Sequence, residues 1–153
     1  MLSIRRLTPA DKRKVFPMVR TFYRSDAVEH EMPLAVLERT FDVAASGVAS
    51  ISGWVLEDDG VMAGFAYLTE YFSSETGETL DLQDLFILPE HREKGIGKLF
   101  IEWMLHSFPH VRRFSLEVTP QNMRAAALYR RIGFRDLSYH EMAFDREEFL
   151  GKP

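Results

Sequence analysis

The most informative stretch of this sequence runs from Leu85 to Lys98 and reads LFILPEHREKGIGK. Its first four residues are apolar and end a predicted strand, Leu80–Leu88, because Pro89 cannot donate the next ladder hydrogen bond. A basic loop with two glycines follows, and apolar residues at helical spacing after Gly95 indicate a helix. The stretch therefore predicts a strand, a glycine-containing loop and a helix in succession.

The loop has the physical features of a phosphate-binding site. The first turn of a helix leaves backbone N–H groups unpaired and carries the positive end of the helix dipole. Gly95 and Gly97 let a ligand approach that backbone closely, because they have no Cβ atom. The candidate segment consists of Arg92, Glu93, Lys94, Gly95, Ile96, Gly97 and Lys98. The alternative is an ordinary helix start with solvated charges, but glycines inside a helix start reduce its stability.

Two common nucleotide-binding patterns fail on this segment. The P-loop pattern requires a glycine at position 92 and a serine or threonine after Lys98, whereas the sequence has Arg92 and Leu99. The dinucleotide-binding pattern requires a third glycine at position 100, where the sequence has Phe100. The pattern that remains is Arg-x-x-Gly-x-Gly.

The part of the chain before the loop is expected to form four strands and two helices. Thr8 is followed by Pro9 and then by Asp11 at the third helical position, which indicates a helix start. Pro17 lies inside that helical pattern and should kink or break the helix. The predicted elements are a strand Leu2–Leu7, a helix to Tyr23, a helix from Pro33 to about Ser46, and strands Ile51–Leu56, Val61–Phe72 and Leu80–Leu88. Asp58-Asp59-Gly60 predicts a tight hairpin turn between Ile51–Leu56 and Val61–Phe72.

The part after the loop continues the alternation of helices and strands. Ile96, Leu99, Phe100, Trp103 and Met104 form one apolar helix face, and Gly133 is placed to cap a later helix. The predicted elements are a helix Gly95–Phe108, a strand Arg113–Val118, a helix Asn122–Ile132, and two short strands, Phe134–Leu137 and Tyr139–Phe144. The order β-α-α-β-β-β-α-β-α-β-β predicts an α/β (α+β) fold with a mixed sheet.

Composition excludes several classes of protein. The 153 residues are enough for about one domain, and 46% hydrophobic and 27% charged residues are ordinary values for a globular protein. No apolar run approaches the ~20 residues of a membrane span, and no secretory signal is visible. A net charge of −4 favours no nucleic acid partner, and the five histidines have no metal-like spacing. With no cysteine in the chain, we expect a single cytoplasmic domain over residues 1–153, without a metal.

The motifs resemble those of the GNAT N-acetyltransferase family. The segment Arg92–Gly97 is similar to the family's pyrophosphate-binding motif, which follows a strand. Leu116-Glu117-Val118, Asn122, Leu128-Tyr129 and Gly133-Phe134 look like the family's next strand and helix. The resemblance implies a mostly antiparallel sheet of six to seven strands with about four helices. It also implies acetyl-CoA as the co-substrate.

The resemblance implies roles for residues on the central strand and the last helix. The backbone of Leu85, Phe86 and Ile87 would pair with the pantetheine arm of acetyl-CoA, and a bulge there would aim an N–H at the thioester oxygen. Tyr129 would protonate the departing CoA sulfur, because a phenol is protonated at neutral pH. Asn122 is either a contact to the CoA arm or simply a helix N-cap.

The acceptor is expected to be a primary amine, either a small molecule or a peptide. An alkyl ammonium must lose a proton before it attacks, and the candidate bases are Glu117 and Asp84. Glu117 matches the base of the ribosomal-protein N-terminal acetyltransferases, whereas Gln83 departs from the polyamine acetyltransferase pattern. The polar stretch Tyr23–His30 falls where the family lines its acceptor pocket. The lack of cysteine favours direct attack without an acyl-enzyme, and the family allows a homodimer. The alternative is a non-catalytic acyl-CoA-binding or regulatory module on the same fold.

Overall fold

The computed structural model describes residues 1–146 of the chain. A mixed five-stranded sheet has the order β1-β2-β3-β4-β5. The strands are β1 (Leu2–Arg6), β2 (Ile51–Asp58), β3 (Val61–Ser73), β4 (Gly77–Ile87) and β5 (Arg113–Leu116). The helices are α1 (Lys12–Phe22), α2 (Leu34–Ala45), α3 (Ile96–Ser107) and α4 (Met123–Ile132), and short 3₁₀ turns, Pro9–Asp11 and Pro89–His91, precede α1 and α3.

The sheet changes character at β4. Strands β1 to β4 pair antiparallel, and β5 pairs with β4 in parallel, but only between Thr79–Leu82 and Arg113–Leu116. Gln83 forms a bulge in β4. Its neighbours Leu82 and Asp84 face the consecutive β3 residues Leu68 and Tyr67, so Gln83 has no partner on β3. A bulge bends its strand and increases the local twist. Beyond Gln83, β4 therefore stays paired with β3 and diverges from β5; we call this point the fork.

The two faces of the sheet carry two separate apolar cores. One core packs α1 and α2 against Val55, Phe65, Tyr67 and Phe86. The other core packs α3 against Leu56, Ala66, Leu68, Leu80 and Leu82, and α4 joins it through Tyr129 and Ile132. The fork therefore lies between an α1/α2 face and an α3/α4 face.

The predicted break at Pro17 is wrong, because α1 runs without interruption from Lys12 to Phe22. Proline removes one helical hydrogen bond and costs about 3 kcal/mol in a helix interior. The apolar side of α1 offsets that cost, since Val15, Met18, Val19 and Phe22 are all buried. Tertiary packing outweighs the local preference here.

The two predicted strands after Gly133 are also wrong, since residues 134–144 contain no strand. The described part of the sheet thus has five strands instead of six or seven. The alternating pattern of this segment does not correspond to a buried face, because the side chains of Leu137, Tyr139 and Met142 are 50%, 73% and 91% exposed. Without such burial, little compensates for the entropy lost in ordering a strand. The predicted end of the single domain, 147–153, lies outside the described residues.

Candidate functional site

The glycine loop combines two left-handed residues with a helix start. Glu93 has φ +64° and Gly95 has φ +78°, and Gly95 occupies the N-cap position of α3. Left-handed residues within a turn direct neighbouring N–H groups into a concave nest that suits an anion. The nest lies at the positive end of the α3 dipole. The backbone of this loop is thus compatible with the predicted phosphate-binding segment, Arg92–Lys98, which we call the cradle.

Gly97 closes the cradle from the other side. A Cβ atom built there would lie 3.3 Å from Leu128 Cδ2 of α4 and 3.6 Å from Ile87 Cδ1 of β4. Any side chain at this position would therefore fill the space between β4 and α4. Because Gly97 has no side chain, the start of α3 can pack closely against both β4 and α4.

The charged side chains of the loop are engaged with the protein. Arg92 Nε donates to the Ile87 carbonyl oxygen at 2.8 Å. Lys94 Nζ donates to Asp58 Oδ2 at 3.3 Å, and Lys98 Nζ lies 3.6 Å from Glu102. Glu93 pairs with Arg124 at 3.3 Å. These contacts fix the shape of the loop and leave the backbone amides as its main anion-binding groups.

Asp58 connects the loop to the β2–β3 hairpin. Asp58 Oδ2 lies 3.1 Å from His91 Nδ1, in addition to its bond with Lys94. These two partners lower the pKa of Asp58, the His91 hydrogen bond more than the Lys94 bond. The sequence indicates only a turn at Asp58, so this link across 33 residues is a feature that the sequence does not reveal.

The end of β4 lies beyond its ladder with β5, and its bulge is not where we expect it. Phe86 packs into the α1/α2 core, whereas Leu85 and Ile87 pack on the α3/α4 face. Their backbones pair with β3 and have no partner in β5, because the parallel ladder stops at Leu82. The bulge lies at Gln83 and not within Leu85–Ile87 as expected. Its effect is to open the β5-facing edge of β4 at the next residue.

Asp84 is the first residue of β4 beyond the bulge, and it is buried. Only 5% of its surface is exposed, and the Tyr23 hydroxyl donates to Oδ2 at 2.8 Å and lies 3.1 Å from Oδ1. Burial raises the pKa of Asp84 to about 6, although the Tyr23 hydrogen bond acts in the opposite direction. Burial, followed by the charge of Asp84, raises the pKa of Tyr23, so this phenol keeps its proton. The pair has the form of a proton acceptor with a positioned donor.

Tyr67 lies opposite Asp84 on the same face of the sheet. Its side chain is 1% exposed, and its hydroxyl is the one buried side-chain polar atom without a hydrogen-bond partner in the described part of the chain. Burial, with the charge of Asp84, raises the pKa of Tyr67. From the sequence, Tyr67 is only an aromatic residue in an apolar strand, and no signal marks it as functional.

Tyr129 packs against the α3/α4 core, on the other face of the sheet. It lies on α4, is partly buried, and its ring centroid is 5.9 Å from that of Phe134. Burial raises the pKa of Tyr129 to about 12, so its hydroxyl remains a proton donor at neutral pH. Asp84 and Tyr129 are therefore a proton acceptor and a proton donor on opposite faces of the sheet.

Glu117 differs from Asp84 in its environment. It is exposed, and it directly follows the end of β5. A hydrogen bond shared with Glu141 raises the pKa of Glu117, and partial burial and the charge of Asp81 act in the same direction. Asp81 itself accepts a hydrogen bond from Ser115 at 2.8 Å. The result is an acidic area at the β5 end of the fork.

A cavity of about 790 Å³ lies along the outer edge of β5, between α4 and the segment 133–141. It brings together Glu117 and Tyr129 among the predicted site residues. Asp84, the segment Leu85–Ile87, the glycine loop and Asn122 do not line it. The predicted residues thus fall into three groups, which lie at the cradle, at the fork and in this cavity. Tyr129 lines the cavity and also packs against the α3/α4 core.

Two loops meet on the α1/α2 side of the fork. The Thr119 hydroxyl donates to the Asp26 carbonyl oxygen and so joins the β5–α4 loop to the stretch Tyr23–His30. Asn122 Oδ1 accepts from the Ala125 N–H at 3.4 Å, which is the N-cap role.

None of the helices formed by residues 1–146 is long and apolar enough to cross a membrane.

The curated relatives found by comparison with known proteins are named as acetyltransferases. The pig protein named thialysine N-epsilon-acetyltransferase is 31% identical over 100 residues, which cover 60% of this chain and 59% of that protein. The Salmonella typhimurium protein named peptidyl-lysine N-acetyltransferase YjaB is 28% identical over 100% of this chain and 93% of its own length. The chain spans about half the length of several other curated relatives, between 40% and 52%.

Solved structures show the same fold. A Clostridium acetobutylicum protein named a predicted acetyltransferase, crystallised with acetyl-CoA, aligns with a TM-score of 0.74 at 14% identity. The alignment covers 97% of this chain and 98% of that one. The family model that matches is the Acetyltransferase (GNAT) family, over residues 15–134, which include most of α1, the fork, the glycine loop and α4. The chain belongs to the GNAT acetyltransferase family.

Proposed function

We propose that this protein is an acetyl-CoA-dependent N-acetyltransferase that transfers an acetyl group to a primary amine by direct attack. The observation that carries the proposal is the fork, where the edge of β4 that has no partner strand begins next to the buried Asp84. A glycine loop suited to a diphosphate lies at the other end of that edge. Family membership and relatives named as N-acetyltransferases support the same activity.

The residues of the cradle fit acetyl-CoA. The backbone of Arg92–Lys98 would hold its diphosphate, and Gly97 adds no side chain beside it. The chain that follows the diphosphate would run from Gly97 along Leu85–Ile87, a proposed route that we call the passage. The edge of Leu85–Ile87 that has no partner strand would accept the pantetheine amides as an added strand does, in exchange for the Arg92 hydrogen bond to the Ile87 carbonyl oxygen. When bound, acetyl-CoA supplies an activated acyl group as a thioester. Asn122 already caps α4, so we assign it to shaping the loop next to the CoA arm.

The two proton transfers take place on opposite faces of the sheet. Asp84 takes a proton from the acceptor ammonium, and its pKa of about 6 makes it a better base than an ordinary aspartate. A backbone N–H near Phe86 stabilises the negative charge that develops on the acyl oxygen. Tyr129 donates a proton to the departing sulfur. Glu117, which is exposed beside Glu141, attracts the cationic acceptor.

The acceptor class follows from the acidic groups. Asp81, Asp84 and Glu117 lie on one side of the fork and favour an aliphatic ammonium group over a neutral or anionic acceptor. The pig and Salmonella relatives are named for thialysine and peptidyl-lysine. We therefore place lysine-type primary amines first among the acceptors. A cytoplasmic location, a homodimer and the absence of metal and nucleic acid remain predictions.

The proposal is tested by measuring CoA release with a panel of amines, corrected for hydrolysis. The panel contains lysine amide, a lysine peptide, a peptide with a free N-terminus, spermidine and an aminoglycoside. Calorimetry with acetyl-CoA, with ATP as control, measures binding separately. We expect acetyl-CoA binding and amine-dependent release. Binding without turnover for any amine would favour the non-catalytic module, and equal affinity for ATP would contradict the cradle assignment.

A further inference from the structure

Tyr23 connects a buried carboxylate to the accessible side of the fork. It directly follows α1 and begins the loop that precedes α2. Its hydroxyl donates to Asp84 Oδ2 at 2.8 Å. Asp84 is 5% exposed, whereas Tyr23 is partly exposed. Tyr23 is therefore the more exposed member of the pair, and an acceptor on this face would reach it more readily than the carboxylate.

Among residues 1–146, Tyr23 is the one side chain that donates a hydrogen bond to Asp84. Tyr23 faces it from α1, and Tyr67 faces it from β3 without a hydrogen bond. The charge of Asp42, on α2, raises the pKa of Tyr67 but does not contribute to the pKa shift of Asp84. Within residues 1–146 no ion pair neutralises Asp84. A buried carboxylate without a cation is costly, which indicates a role other than stability.

We propose that Tyr23 is a catalytic proton relay between the acceptor ammonium and Asp84. This inference rests on the proposed N-acetyltransferase function. The ammonium nitrogen gives a proton to Tyr23 Oη, and Tyr23 gives its own proton to Asp84 Oδ2. Tyr23 ends as a neutral phenol, Asp84 as a carboxylic acid, and the acceptor as a neutral amine that forms the C–N bond. Asp84 later releases its proton to solvent, and the C–S bond breaks with protonation by Tyr129.

The test compares two acceptors that differ in whether a proton must be removed. One is the most active aliphatic amine of the panel, which is charged at neutral pH. The other is its analogue with two fluorine atoms on the carbon next to the aminomethyl group. The assay is run at about pH 8.5, where the first amine is still charged and the fluorinated amine is largely uncharged. For Tyr23→Phe we expect a loss of about 100-fold or more in kcat/KM with the charged amine. With the fluorinated amine we expect little loss, because the relay is not needed.

A matched control is Tyr67→Phe, which removes a buried hydroxyl next to the same carboxylate. Because that hydroxyl has no partner, we expect nearly unchanged kcat/KM with both amines. Asp84→Asn is the second variant and should lose activity with the charged amine in the same selective way. Equal losses for both amines in Tyr23→Phe or Asp84→Asn, or no loss in Tyr23→Phe, would overturn the relay. A wild-type protein without any acetyl transfer would instead contradict the proposed function.

Discussion

Asp84 combines a functional position with a cost in stability. Its pKa is about 6 in the folded protein and 3.8 ordinarily, so the folded state binds more protons between these values. The free energy of unfolding therefore falls as the pH rises from about 4 to above 6. At about 1.4 kcal/mol per pKa unit, the cost of the buried charge reaches about 3 kcal/mol at most.

We expect Asp84→Asn to abolish most activity and yet stabilise the fold. Asparagine retains an acceptor for Tyr23 but has no charge to desolvate. The free energy of unfolding should rise by about 1–3 kcal/mol at pH 8, with little change near pH 4. Urea denaturation at the two pH values measures the difference. Equal stabilisation at both values would show that packing, and not the charge, is responsible.

Tyr129 is expected to act on the leaving group only. Tyr129→Phe should lower kcat by about 100-fold or more, because the departing thiolate loses its proton donor. The affinity for acetyl-CoA should stay nearly unchanged, since the hydroxyl acts late in the reaction. Tyr139→Phe is the control, because Tyr139 lines the same cavity but is exposed and bonded to Glu75. Unchanged turnover in Tyr129→Phe would remove this residue from the mechanism.

At the scale of elements, the sequence predicts what local patterns determine. The helix bounds of α3 and α4 and the hairpin at Asp59-Gly60 agree with the predictions within one or two residues, because caps and turns are local signals. The glycine loop is predictable for the same reason. The Tyr23–Asp84 pair spans 61 residues and depends on how α1 packs, which no local pattern contains. The two absent strands after Gly133 show the reverse error, an alternating pattern without a face to bury.

A substitution at Gly97 tests whether the junction of β4, α3 and α4 contributes to acetyl-CoA binding. Gly97→Val should weaken acetyl-CoA binding at least tenfold, because its side chain would occupy the space between Ile87 and Leu128. Calorimetry measures the affinity, and circular dichroism checks the fold. Gly97→Val/Leu128→Ala is the control, since it relieves the contact with α4 but leaves the new side chain in the passage. Recovery of affinity in this double variant would indicate displacement of α4 instead of a blocked passage.

Asp58 tests how the β2–β3 hairpin supports the glycine loop. Asp58→Asn removes the charge that holds Lys94 and weakens the bond to His91. We expect a several-fold rise in KM for acetyl-CoA with kcat unchanged, because the loop loses shape and the reacting groups do not. Asp59→Asn is a matched control, since Asp59 lies in the same turn and pairs with the N-terminal amine. A fall in kcat without a change in KM would contradict a positioning role.

At the scale of the whole molecule, the sheet separates two kinds of chemistry. The α3/α4 face carries the glycine loop and Tyr129, and the α1/α2 face carries Asp84 and Tyr23. The bulge at Gln83 joins them, because it opens the sheet where β4 leaves β5. The family match ends at Phe134, and the segment after it forms no strand up to residue 144. The shared chemistry therefore lies within the matched part.

If acetyl-CoA binds along this passage, it should stabilise the elements that form it. At a ligand concentration 100 times Kd, stability rises by about 2.7 kcal/mol, which corresponds to about 5–10 °C in Tm for a chain of this size. Hydrogen exchange should show new protection in residues 85–98 and in α4, with little change in α2. ATP at the same concentration should produce neither effect. Protection centred on α2, or along the outer edge of β5 alone, would place the ligand outside the passage and remove the physical basis for the transfer at the fork.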